Sequence, residues 1–108
     1  MGPSGSRKSS ATKSVGSIDA SRFDDAIAEF TPPTSNNGPQ YITTGPDGNL
    51  WFTETGVGKI GRVTPSGTIT EFATCASNSA PFVITTGPDG NLWFTENSVG
   101  KIGKITPT

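Results

Sequence analysis

Residues 42–54 read ITTGPDGNLWFTE, and the same thirteen residues return unchanged at 84–96. Around this stretch, residues 27–66 and 69–108 align at an offset of 42 with 26 identities in 40 positions. Similarity at this level and at a fixed offset indicates an internal repeat. Each copy is therefore expected to form the same supersecondary unit, and the repeat decides the architecture.

The pattern inside each copy is typical of β-strands. Short runs of strand-forming residues end at turns that contain Gly or Pro, and in the first copy these runs are 41–44, 50–53, 59–64 and 68–72. Leu50, Trp51 and Phe52 are consecutive apolar residues, so both faces of that strand require burial. A period of 42 lies within the roughly 40–45 residues of four-stranded propeller blades. We therefore predict an all-β fold, a partial β-propeller of about two four-stranded blades.

The turns predict how the strands pair. Residues 45–48, Gly-Pro-Asp-Gly, close the first hairpin because Pro presets φ and the last Gly tolerates a positive φ. With residues 55–57 as the loop of the next hairpin, Trp51 lies opposite Gly61, and in the second copy Trp93 lies opposite Gly103. An indole over a glycine would cover bare backbone.

Composition divides the chain near residue 22. Residues 1–22 are rich in Ser, Gly and Lys and contain no aromatic residue, so we expect a disordered leader before a folded region at 23–108. The net charge is −1, which predicts neither nucleic acid nor an anionic membrane as a partner. No apolar stretch resembles a signal peptide or a membrane span, so a cytoplasmic location is expected.

The strand count predicts an incomplete ring. Residues 26–30 are expected to form one outer strand before the complete unit at 41–72, and three further strands follow, ending at residue 106. Two open sheet faces and unpaired strand edges favour association. The expected partners are further propeller blades or copies of the chain itself.

The segments GPDGNLWFTE, KIGRVTP and GTITEF, with GPDGNLWFTE and KIGKITP 42 residues later, resemble the repeats of the virginiamycin B lyase (streptogramin B lyase) family. The resemblance covers residues 26–108. It implies a seven-bladed propeller, and it implies that enzymatic members open cyclic streptogramin B antibiotics by a Mg²⁺-dependent elimination at the ester bond. Seven units of this period need about 290 residues, so the chain is expected to be a fragment of such a ring.

The resemblance also implies site residues. In the family, a histidine follows the proline of a P-H-x-I segment and a glutamate ends the WFTE segment. The histidine positions here hold Gln40 and Phe82, and the chain has no histidine. Glu54 and Glu96 match the glutamate and are the catalytic or metal-facing candidates. A structural role is favoured for both, in which the carboxylate binds a backbone amide or pairs with the lysine five residues later.

Three functions stay open. The first, which the resemblance implies, is that the chain belongs to a streptogramin-type lyase that uses Mg²⁺. Elimination needs a base, an acid and a cation, so the chain, which has no histidine, is not expected to be catalytic by itself. Alternatively, it is a non-catalytic propeller that binds a ligand, such as a small cyclic peptide, on a loop face containing Gln40, Tyr41 and Phe82. The third possibility is a self-assembling structural module.

Overall fold

The computed structural model describes residues 26–107, so the leader expected at 1–22 lies outside the described residues. Within that range the chain is all-β, as predicted: seven strands form two antiparallel sheets, one of four strands and one of three. None of the described residues belongs to a helix that could cross a membrane.

Each sheet is a meander in which neighbours in sequence are neighbours in space. In the first sheet the order is β1-β2-β3-β4, and in the second it is β5-β6-β7. The strands are β1 Pro39–Thr44, β2 Leu50–Glu54, β3 Lys59–Val63, β4 Ile69–Ala73, β5 Pro81–Thr86, β6 Leu92–Glu96 and β7 Lys101–Ile105. The strands predicted between residues 41 and 106 thus occur within two residues of their expected ends.

The Gly-Pro-Asp-Gly turn closes the first hairpin of both sheets, as predicted. Gly48 has a φ of 82° and Gly90 has a φ of 79°, values that an L-residue adopts only with strain. The aspartate of each turn accepts a hydrogen bond from the following indole: Trp51 Nε1 donates to Asp47 Oδ1 at 3.0 Å, and the second sheet repeats this at 2.9 Å. The turn and the first residues of the next strand therefore form one unit.

The predicted pairing of tryptophan with glycine was wrong by one residue. Trp51 lies opposite Arg62, and it is Phe52 that lies opposite Gly61. The reason is the loop, which contains four residues, 55–58, because Glu54 pairs with Lys59. The second sheet shows the same register, with Lys104 opposite Trp93 and Gly103 opposite Phe94.

Aromatic rings nevertheless cover glycines in both sheets. A Cβ at Gly61 would collide with the ring of Phe52, and a Cβ at Gly45 would collide with the indole of Trp51. The phenylalanine thus covers the strand glycine, while the tryptophan covers the first glycine of the turn. Both contacts recur in the second sheet, at Gly103 and Gly87.

The two sheets pack face to face, and we call this contact the inner interface. Its core consists of Trp51 and Ile60 from the first sheet against side chains of the second. The second sheet contributes Ile84, Leu92 and Phe94, with Phe72 and Ile105 packed at the margin. Burial of these side chains supplies the apolar stabilisation that neither sheet has by itself.

Hydrogen bonds between the first and the second sheet fix the alignment of the inner interface. Thr53 Oγ1 donates to the carbonyl of Phe82 at 2.8 Å, and Thr55 Oγ1 donates to the carbonyl of Pro81 at 2.5 Å. In the opposite direction, Thr86 Oγ1 donates to the carbonyl of Thr44 at 2.5 Å. The repeat thus supplies both the apolar contact and its polar alignment.

Residues 26–30, expected to form an outer strand, belong to no strand. An outer strand of this type forms by pairing with the third strand of its own sheet, as β4 pairs with β3. The residues that would precede 26–30 in such a sheet lie outside the described part of the chain.

Candidate functional site

A bulge at the start of each first strand shapes the candidate ligand face. The pairing between β1 and β2 shifts between Pro39 opposite Glu54 and Ile42 opposite Phe52, so two residues of β1 oppose a single residue of β2. A bulge of this kind redirects the side chains at the edge of a sheet. The two residues it contains are Gln40 and Tyr41, which are two of the three ligand-face candidates.

Thr53 holds this bulge and joins it to the next sheet. Its Oγ1 accepts a hydrogen bond from the backbone N–H of Tyr41 at 3.1 Å and donates to the carbonyl of Phe82. The side chain is fully buried, so the position of the Tyr41 backbone is fixed relative to Phe82. In the second sheet, Thr95 accepts the equivalent bond from Val83 N–H at 3.1 Å.

The structure brings Tyr41 and Phe82 together. Their ring centroids lie 5.0 Å apart at an interplanar angle of 78°, an edge-to-face contact, which is a favoured geometry for aromatic pairs. Tyr41 is 47% exposed and Phe82 is half-buried. Gln40 is exposed beside Tyr41, so all three ligand-face candidates lie at one end of the first strands.

Glu54 is the most unusual polar residue among those described. Its side chain is fully buried at the end of β2, and neither carboxyl oxygen has a hydrogen-bond partner. Burial raises the pKa of Glu54 to about 7, the neighbouring Glu71 carboxyl adds to the increase, and the Lys59 ammonium acts in the opposite direction. A carboxyl group in this state can hold or release a proton near neutral pH.

Glu71, on β4, has a different environment. Its Oε1 accepts a hydrogen bond from Thr34 Oγ1 at 2.7 Å, its Oε2 accepts one from Thr34 N–H at 3.2 Å, and Lys59 Nζ lies 3.7 Å from Oε1. Burial raises the pKa of Glu71, but the Thr34 hydrogen bonds and the Lys59 charge together outweigh burial and lower it. Below about pH 7 and above the pKa of Glu71, the pair therefore combines a protonated Glu54 with an ionised Glu71.

Glu96, the second matched glutamate, lies in a simpler setting. It ends β6 and is buried. Among the described residues, no ion pair involves Glu54, Glu96 or Lys101. The lysine expected to pair with Glu54 pairs with Glu71 instead.

Sequence reasoning missed Thr34, Thr53 and Glu71. Glu71 could have been found by extending the strand register across one more pair, because Lys59 lies opposite Ala73 and the side chain two residues before Ala73 is on the same face. Thr53 was visible as part of the repeated WFTE segment. Thr34 lies in an irregular loop, and no periodic signal indicates its contact.

The carboxyl groups of Glu54 and Glu71 do not form a metal centre by themselves. The described residues contain no group of three or more His, Cys, Asp or Glu side chains arranged to hold an ion. Glu54 has no accessible surface, and the carboxylate of Glu71 is already contacted by Thr34 and Lys59. A hydrated Mg²⁺ needs carboxylate oxygens that it and its waters can reach, so these residues do not fit Mg²⁺.

Comparison with known proteins gives consistent matches. Residues 8–108 match the model of the virginiamycin B lyase family, a range that includes part of segment 1–22. A catalytically inactive virginiamycin B lyase from Staphylococcus aureus, solved with quinupristin, is 44% identical with a TM-score of 0.74 over 78% of this chain. A streptogramin B lyase structure is 37% identical with a TM-score of 0.65 over 79% of this chain.

The matched enzymes are much longer than this chain. It covers 29% of the quinupristin-bound lyase and 32% of the streptogramin B lyase. A selenomethionine-substituted virginiamycin B lyase from Staphylococcus aureus, 38% identical with a TM-score of 0.63, is also covered over 32% of its length. The chain therefore corresponds to about a third of each of these enzymes.

Proposed function

This chain belongs to the virginiamycin B lyase family, and on that premise we propose that it forms two adjacent blades of a streptogramin B lyase-like propeller. We further propose that it does not catalyse the family's elimination by itself. The observation that carries the second proposal is the residue pair at the matched positions: Glu54 is present as a buried acid, whereas Gln40 replaces the histidine.

The chemistry of elimination explains why the histidine matters. Opening a cyclic ester by elimination removes a proton next to a carbonyl, forms a carbon–carbon double bond and releases the ester oxygen as a carboxylate. Such a reaction needs a base, and it gains from an acid and from a cation that stabilises the developing charge. Glu54 offers one proton-transfer group, while the amide of Gln40 and the ring of Phe82 offer none.

Mg²⁺ remains the cofactor that the family resemblance implies. Because Glu54 and Glu71 do not fit a hydrated Mg²⁺, we propose that carboxylates from other blades of a complete ring would hold it. The blades described here would then supply the scaffold and one wall of the ligand face. In a complete ring the substrate we propose is a streptogramin B, and the biological role is resistance to that antibiotic in the cytoplasm.

Incubating the 108-residue chain with quinupristin and Mg²⁺ tests this proposal. Elimination leaves the mass of the antibiotic unchanged, so ring opening is followed by reversed-phase chromatography and fragmentation mass spectrometry. We expect no linear product above the reagent blank, with a complete streptogramin B lyase as the positive control. Linear product that disappears in Glu54→Gln would show that the chain is an enzyme, and would overturn the proposal.

A second candidate function is ligand binding without catalysis, and the Tyr41–Phe82 pair favours it. Two aromatic rings held edge to face, one of them 47% exposed, suit an apolar cyclic peptide. Calorimetric titration with quinupristin checks this. We expect Tyr41→Ala to weaken binding at least tenfold and Tyr41→Phe, which keeps the ring, to retain it; equal binding by both variants would exclude this role for the pair.

A further inference from the structure

The inner interface provides a template for a second contact, because each sheet of the repeat has two different faces. Strand alternation puts Trp51 and Ile60 on one face of the first sheet and Ile42 and Leu50 on the other. Only the Trp51 face is covered by the second sheet. We call the face with Ile42 and Leu50 the head face of the molecule.

Two apolar residues of the head face are exposed, whereas their counterparts in the second sheet are buried. Ile42 is 60% exposed and Leu50 is 39% exposed. Their equivalents 42 residues later, Ile84 and Leu92, are 5% and 0% exposed because they pack against the first sheet. The head face therefore has the same apolar residues as a surface that already binds Trp51 and Ile60 within the molecule.

The opposite end of the molecule has the reverse arrangement. The second sheet exposes a face with Trp93 and Ile102, which we call the tail face. Ile102 is 67% exposed, whereas its equivalent Ile60 is 1% exposed; Trp93 is half-buried and its equivalent Trp51 is fully buried. The tail face thus has the residues that pack on Ile84 and Leu92 in the inner interface.

We infer that two copies of this chain associate head to tail, with the tail face of one copy on the head face of the other. The contact would reproduce the centre of the inner interface, without the margin that Phe72 of β4 supplies: Ile102 and Trp93 of one copy would pack on Ile42 and Leu50 of the next. This contact is heterologous, so it leaves one free head and one free tail and can continue. The inference rests on the repeated geometry of the sheets and not on the proposed chemistry.

The polar groups of the inner interface are also repeated. Thr53 donates to the carbonyl of Phe82 across the interface, and its equivalent Thr95 accepts a bond from Val83 but donates none to the described residues. In a head-to-tail pair, the Thr95 hydroxyl would donate to the carbonyl of Gln40 in the neighbouring copy. The hydrogen bond that joins the two sheets within one copy would then also join neighbouring copies.

Two equivalent glycines, one in each sheet, also differ in whether a loop packs against them. Gly58 has no room for a Cβ because the backbone of Ser77 lies against it, whereas Gly100 has nothing within 4 Å. Ser77 belongs to the loop before the second sheet, and residue 35 is its equivalent before the first. Gly100 would therefore receive the loop at residue 35 of the neighbouring copy.

Sedimentation velocity of the full chain and of two charge variants tests the inference. We expect the wild-type mass to rise with concentration above the monomer. Ile42→Glu places a charge in the head face, and Ile102→Glu places one in the tail face. Each variant alone lacks one of the two faces that the contact needs, so it is expected to stay monomeric. Thr68→Glu, at an exposed residue in the turn between β3 and β4, adds the same charge elsewhere and should associate like the wild type.

Mixing the two variants gives the decisive result. Ile42→Glu keeps an intact tail and Ile102→Glu keeps an intact head, so an equimolar mixture should form a 1:1 dimer and nothing larger. Dimer formation also proves that both variants are folded. A monomeric wild type, association that survives either single variant, or a mixture that stays monomeric while circular dichroism shows both variants folded would each overturn the inference.

Discussion

The two sheets contain the same thirteen-residue stretch but differ in which of its apolar residues are buried. In the first sheet Trp51 and Ile60 are buried, while Ile42 is open to solvent. In the second sheet the equivalent of Ile42 is buried and the equivalent of Ile60 is open. The repeat thus fixes strands, turns and register, whereas the neighbouring sheet determines which residues form the core. Substitution at equivalent positions separates these two contributions.

The largest difference is expected between Ile60→Ala and Ile102→Ala. Ile60 lies in the inner interface, so its truncation should lower the free energy of unfolding by about 2–5 kcal/mol. Ile102 is open to solvent in a single molecule, and its truncation should change stability by less than about 0.5 kcal/mol. Urea unfolding at a concentration below that of self-association measures both; equal losses would contradict the comparison.

The two repeat glutamates should differ in their effect on pH dependence. The pKa of Glu54 rises from its ordinary 4.5 to about 7, so the folded state binds an extra proton between these values, and stability falls as the pH rises from about 4.5 to about 7. The full shift corresponds to about 3 kcal/mol. The lowered pKa of Glu71 changes stability only below this pH range.

Glu54→Gln should remove that pH-dependent loss, whereas Glu96→Gln should retain it because Glu54 is still present. Thermal unfolding monitored at half-unit steps between pH 4.5 and 7.5 gives both profiles. A wild-type protein whose stability is flat or rises across this window would show that Glu54 is not held in its protonated form.

Gly58 and Gly100 provide a third matched pair. Both have a positive φ, 66° and 63°, so alanine at either position costs roughly 1–2 kcal/mol of backbone strain. At Gly58 the new methyl would also collide with the backbone of Ser77, which adds about 1–3 kcal/mol. Urea midpoints of the two variants compare them, and a Gly100→Ala variant that is as unstable as Gly58→Ala would contradict the open tail face.

The smallest effect is expected where the repeat itself differs. Gly38 has a φ of 56°, and its equivalent Ala80 has a φ of 52°. Ala80→Gly should therefore stabilise the protein by up to about 1 kcal/mol, and Gly38→Ala should destabilise it by about 1 kcal/mol, because a methyl at Gly38 meets no contact closer than 3.4 Å. Thermal melting of both variants checks the opposite signs.

Much of the fold could be predicted from the sequence because the local signals agree with one another. The Gly-Pro-Asp-Gly turn, the alternation of short strands and the period of 42 all indicate antiparallel blades. The register failed by one residue because a three-residue and a four-residue loop are both compatible with Thr55-Gly56-Val57-Gly58. Only the pairing of Glu54 with Lys59 distinguishes them.

The candidate site was less predictable than the fold. Matched positions identified Glu54, but its burial and its proximity to Glu71 depend on a contact between strands β2 and β4, which are not adjacent. The Tyr41–Phe82 contact was expected only as a shared face. Its edge-to-face geometry depends on Thr53, which couples a bulge in one sheet to a carbonyl of the next.

Hydrogen exchange of β7 as a function of protein concentration tests most directly whether a neighbouring sheet determines burial. At low concentration we expect the β7 amides that bond to β6 to exchange fast, because β7 is an edge strand and the tail face over it is open. As the concentration rises and tail faces become covered, the protection of these β7 amides should increase, whereas in Ile42→Glu, which leaves β7 unchanged but prevents association, it should stay low. Protection of these β7 amides that does not depend on concentration, or that rises equally in Ile42→Glu, would contradict the central claim.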